Sequence, residues 1–130
     1  KSIGIWQWIL LTLLTKTRAL KNKKMYELTV ILGENEYPLK IKEAIVNEAG
    51  SFFEKMDSDM NKGWQMSKNW VENPSQFQKC QIVADRLFTS IHLNKKKTAI
   101  MMAAYIINQM PNVKIIDIDI SGNMEETSFS

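Results

Sequence analysis

The chain has 130 residues, 45% of them hydrophobic and 24% charged, a composition that excludes a disordered segment and fits one globular unit. The single cysteine, Cys80, has no internal partner, which excludes a disulfide scaffold and fits a reducing, cytoplasmic setting. The net charge of +3 is unevenly placed. Lys1, Lys16, Arg18, Lys21, Lys23 and Lys24 stand among residues 1–24 with no acid, giving +6, so the remaining 11 basic residues and all 14 acids leave −3. A domain at −3 has no general attraction to phosphate, which argues against a nucleic-acid partner.

Residues 1–24 form an apolar and basic leader. Its run Ile3–Leu14 reaches about 18 Å as a helix, against about 30 Å of bilayer hydrocarbon, and so cannot span. Three readings stay open. Trp6 and Trp8 with the basic cluster of residues 16–24 suit an interfacial anchor. A signal-peptide remnant would need a small-residue cleavage site, and none follows. Because Met25 stands just before the first patterned segment, the leader can also be non-native sequence. A membrane-surface partner is implied only if it is native.

From Tyr26 the period is two. Tyr26, Leu28, Val30 and Leu32 share a face, a turn follows at 33–36, and Tyr37, Leu39 and Ile41 resume the alternation. This predicts a β-hairpin, with Pro38 placing its second strand at a sheet edge. From Lys42 the period becomes helical: Ile45, Val46, Ala49, Phe52, Phe53, Met56 and Met60 make one stripe. Gly63 either ends this helix or lies inside a longer one that carries Trp64, Ser67, Trp70 and Val71, and Asn73-Pro74 stops it in either case. Ser75 is a plausible N-cap for a helix with the stripe Phe77, Cys80, Val83, Ala84, Leu87, Phe88 and Ile91. A third helix is expected over about 98–110, buried on most sides, since 99–107 holds no polar group except the Tyr105 hydroxyl. Val113–Ile120 reads as a strand, and residues 121–130 as a flexible polar tail. The expected fold is therefore α+β: a hairpin, three or four helices and a C-terminal strand that pairs with the hairpin, all within residues 25–120.

The candidates for chemistry are thin. Asp57, Asp59 and Asn61 imitate the start of a calcium loop, but Lys62 and Lys68 stand where a glycine and a bidentate glutamate are needed. Asp117 and Asp119 share a strand face without a histidine beside them, the ordinary pattern of a wet face. His92 and Cys80 lie about 18 Å apart along one helix, too far for a nucleophile–base pair. Lys95, Lys96 and Lys97 read as a solvated loop. No catalytic residue, metal ligand or cofactor site emerges, and an enzyme is not expected. Trp64, Met66, Trp70 and Val71 crowd more aromatic and methionine surface into eight residues than a short surface element needs. They either close one end of the core or, with the edge at Pro38, present an interface to a protein partner.

Leu28-Thr29-Val30-Ile31-Leu32-Gly33, Tyr37-Pro38-Leu39-Lys40-Ile41, Phe53-Glu54-Lys55-Met56-Asp57 and Thr98–Ala104 together resemble segments of ZapA-type bacterial cell-division proteins. The likeness covers about a third of the chain. It implies a bacterial hairpin-helix module able to self-associate and act as an adaptor. The chain departs from that family in the roughly 40 residues between these segments, and in the strand Val113–Ile120 where the family has a long coiled coil. No site residues carry over.

Overall fold

The computed structural model describes residues 24–130. The leader readings for residues 1–23 lie outside the described residues.

β1 (Met25–Leu32) and β2 (Asn35–Lys42) form the hairpin, in antiparallel register from Met25 opposite Lys42 to Leu32 opposite Asn35. The first residue of its two-residue turn, Gly33, has φ +67°, a conformation that a side chain resists. Alternation sends Leu28, Val30, Leu32 and Ile41 into the core. Two short helices follow, α1 (Glu43–Glu48) and α2 (Gly50–Asn61), divided at Ala49. The expected single stripe is thus broken: Val46, Phe53 and Met60 are buried, whereas Phe52 faces outward. Phe53 meets the Tyr105 ring edge-on at 5.7 Å.

Gly63, at φ +112°, ends α2, and no helix continues through the tryptophans. Instead β3 (Trp64–Met66) and β4 (Asn69–Val71) make a second hairpin, turning at Ser67 with φ 60°. α3 (Gln76–His92) begins with a full capping box: the Ser75 hydroxyl accepts from the Gln78 amide at 3.1 Å, and the Gln78 side chain accepts from the Ser75 amide at 2.9 Å. α4 (Lys96–Gln109) is the apolar helix, buried at Ala99 and from Met102 to Ile107. Lys96 and Lys97 start the helix, and Lys95 stands at its N-cap.

β5 (Ile115–Ile118) lies parallel to β1, with Val30 opposite Ile116. The sheet order β2-β1-β5 then places β2, with Pro38, at one edge. Residues 121–130 correct the expectation of a loose tail. A 3-10 turn at Met124–Glu126 leads into β6 (Ser128–Phe129), which pairs antiparallel with β5 and forms the other edge. Thr127 is buried, its hydroxyl accepts from the Asp119 amide at 3.0 Å, and Ser130 exchanges backbone bonds with Ile115. The sequence signal was weak because the inward residues Met124, Thr127 and Phe129 keep no strand or helix period.

The architecture is α+β, with the helices layered on one face of a four-stranded mixed sheet. One polar knot lies inside the helical layer. Tyr105 of α4 donates to Asp57 of α2 at 2.5 Å, Gln76 of α3 donates to the Tyr105 oxygen at 3.2 Å, and the Lys79 ammonium stands 4.0 Å from Asp57. Lys79 is almost wholly buried, its stem contributing to the packing while its charge meets the carboxylate.

Candidate functional site

The residues singled out for chemistry are scattered. Asp57–Asn61 lies within α2, so the calcium-loop imitation has no loop, and Asp57 is engaged by Tyr105 and Lys79. Asp117 is exposed on β5. Asp119 closes the turn after the strand, accepting from the amides of Asn123 at 2.7 Å and Ser121 at 3.1 Å. These donors hold its carboxyl below the usual range. Cys80 is buried and His92 is exposed at the end of α3, its ring 6.2 Å from that of Phe88. Lys95 to Lys97 are exposed. Among the described residues no three His, Cys, Asp or Glu side chains gather into a metal-binding group.

The interface candidates divide. Met66 is 0% exposed and belongs to the core, so it offers nothing to a partner. That corrects its place among the surface candidates: on β3 it shares a face with Trp64, which turns toward the helices. Val71, paired with Trp64, is half-buried. Trp70 pairs with Gln65 and points the other way, 57% exposed. Its ring lies against Gly63, where any added Cβ would overlap it, so this glycine serves both the turn of the chain and the seat of the indole. Pro38 is exposed on β2, at the sheet edge opposite to β6. The tryptophan hairpin instead meets the turn before β6, where Ser67 Oγ accepts from the Met124 amide at 2.8 Å. Pro38 and the tryptophans therefore form no common surface.

What Trp64 does adjoin is a cleft between α2 and α3. Phe52, Met56 and Trp64 form its walls, and Met60, Val83 and Met102 its floor, around a volume of about 150 Å³. Phe52, 42% exposed, stands at the mouth. Arg86 lies over the Trp64 ring at 5.7 Å, a cation–π seat that keeps the guanidinium at the rim. Lys55 and Asp59 lie at the opening, 3.7 Å apart, and Lys62 approaches Asp59 at 3.9 Å. A larger depression of about 530 Å³ near the start of β1 is mainly polar, with Lys24 and Lys114 set against Glu27 and Glu43. The smaller cleft is the better receptor, because apolar walls desolvate what enters.

No family model, curated protein or solved structure matches this chain. Among the described residues no helix is long and apolar enough to cross a membrane.

Sequence reasoning missed Phe52 and Arg86. Phe52 fell within the expected core stripe of an unbroken helix. Arg86 gives no local signal beyond its spacing of three from Val83, which puts both on one side of α3.

Proposed function

We propose that this domain works without catalysis, by docking protein partners on its exposed aromatic positions, Trp70 and the Phe52–Trp64 cleft, and that it self-associates through Trp70. The observation that carries the reading is Trp70, an indole more than half exposed and yet held in a fixed seat on Gly63. A rigid aromatic loses little entropy on burial and excludes water over a large area, which is why tryptophan concentrates at the energetic centres of interfaces. Phe52 and the methionines of the cleft supply further apolar surface, and Met side chains adapt their shape to a partner. The resemblance to self-associating ZapA-type adaptors points the same way.

Sedimentation velocity of the full chain and of Trp70→Ala across a concentration series tests the proposal. Self-association should weaken by about tenfold or more in the variant, the loss of about 1.4 kcal/mol or more that truncation of an interface anchor brings. Identical sedimentation of the two proteins, or a monomer at every concentration, would remove the support for self-association.

A further inference from the structure

The cleft carries a charge pattern that specifies its occupant. Among the described residues Arg86 makes no ion pair, although its guanidinium is held in place by the Trp64 ring. At the opposite lip Lys55 stands 3.7 Å from the carboxylate of Asp59. Two cations, Arg86 and Lys55, against the one acid Asp59 leave the lining of the cleft positive, on a domain whose described part is acidic as a whole. Inside, a volume of about 150 Å³ with an apolar lining matches a cavity that takes one benzene-sized group. An exposed, unpaired guanidinium fixed on an aromatic ring is a preformed receptor for a carboxylate, because its planar fork of donors is already oriented.

We propose that the Phe52–Trp64 cleft binds an acidic amphipathic helical segment of a partner protein, with one Phe- or Leu-sized side chain in the cavity and a flanking carboxylate on Arg86. This rests on the docking reading above and names the chemistry of the partner. A helix supplies both groups on one face, since residues three or four apart are neighbours there. The low-lying methionines Met60 and Met102 adjust to the inserted side chain, and Lys55 reinforces the preference for acidic flanks by steering.

The test uses the full chain labelled at the methionine methyls and two blocked helical peptides of identical apolar pattern, one with glutamate and one with lysine at every other position. The glutamate peptide should shift the Met56, Met60 and Met102 methyl resonances, and the lysine peptide should bind about tenfold more weakly or not at all. Arg86→Glu and Lys55→Glu lie at exposed positions and keep the fold. Either should weaken the glutamate peptide about tenfold, and together they should favour the lysine peptide. Equal binding of the two peptides overturns the assignment, as does a cleft whose methyls respond to neither. If sedimentation shows Trp70-dependent association while the peptides fail, this assignment alone falls; if the glutamate peptide binds and Trp70→Ala changes nothing, self-association through Trp70 falls and the cleft stands.

Discussion

Removing residues 121–130 should lower the melting temperature by roughly 15 °C or more, at a cost of about 4 kcal/mol or greater. The segment looks dispensable by composition, yet its loss strips several independent supports. Gln81, a buried amide on α3, donates to the carbonyls of Glu125 at 3.0 Å and Thr127 at 3.1 Å, and would be left buried and unsatisfied. Each such orphaned group costs about 1–3 kcal/mol. Ser130 donates to Ile115 and accepts from Lys114 and Ile115, so β5 would lose its outer ladder and become an edge. Phe129, opposite Ile116, also leaves the ring of Phe77, which it meets edge-on at 5.6 Å. Thermal unfolding followed by circular dichroism compares the truncated and full chains. An unchanged transition would mean that β6 contributes nothing to the folded state.

The second large effect is alkaline. Burial pushes the Cys80 thiol from 9.0 up to about 12, opposed by a hydrogen bond from Gln76 and aided by the charge of Asp57. Burial also raises Tyr105 above its ordinary 10.0, and its bond to Asp57 adds to this, since a phenolate there would face a carboxylate. In each group the folded protein holds its proton more tightly than the unfolded chain. Stability from this source is complete below pH 9, where both states are protonated. It is lost as pH rises through 9 to 12, because the unfolded chain ionises first. For Cys80 alone the loss is about 1.4 kcal/mol per pH unit across that window. Urea titrations at pH 8 and pH 11 should therefore show a lower midpoint at the higher pH, and Cys80→Ala should flatten the decline. A midpoint independent of pH would contradict the burial of these two groups.

How much of this was legible in the sequence depends on the length of each element. The first hairpin was plain because Tyr26 to Ile41 holds its period of two on both sides of a glycine turn. α4 was plain because nine residues without a strongly polar group, apart from the Tyr105 hydroxyl, have no other place in a small protein. β3 and β4 were hidden, since three residues are too few to display a period and Trp64, Trp70 and Val71 mimic a helical stripe. The decisive residue there is Gly63, whose left-handed backbone stops α2 and seats Trp70. The break at Ala49 was equally silent, and with it the outward turn of Phe52. β6 escaped notice because the residues around it are held by partners outside the segment: Gln81 binds Glu125 and Thr127, Asp119 binds Thr127, and Ile115 binds Ser130. Of the site, composition marked Trp64 and Trp70, but the cleft is a product of α2 packing beside α3, which no local pattern records.

The fold also explains why the two most conspicuous hairpin residues behave oppositely. Met66 and Trp70 stand four apart on one short hairpin, and the ladder sends the first inward and the second outward. The proposed self-association through Trp70 depends on that division. Thermal melting of Met66→Ala and Trp70→Ala, measured side by side, tests it most directly. Met66→Ala should cost about 2–5 kcal/mol by emptying a fully packed site, and Trp70→Ala no more than about 1 kcal/mol, a shift of about 4–8 °C. If Trp70→Ala instead destabilises the protein as much as Met66→Ala, the indole belongs to the core, and self-association through it falls.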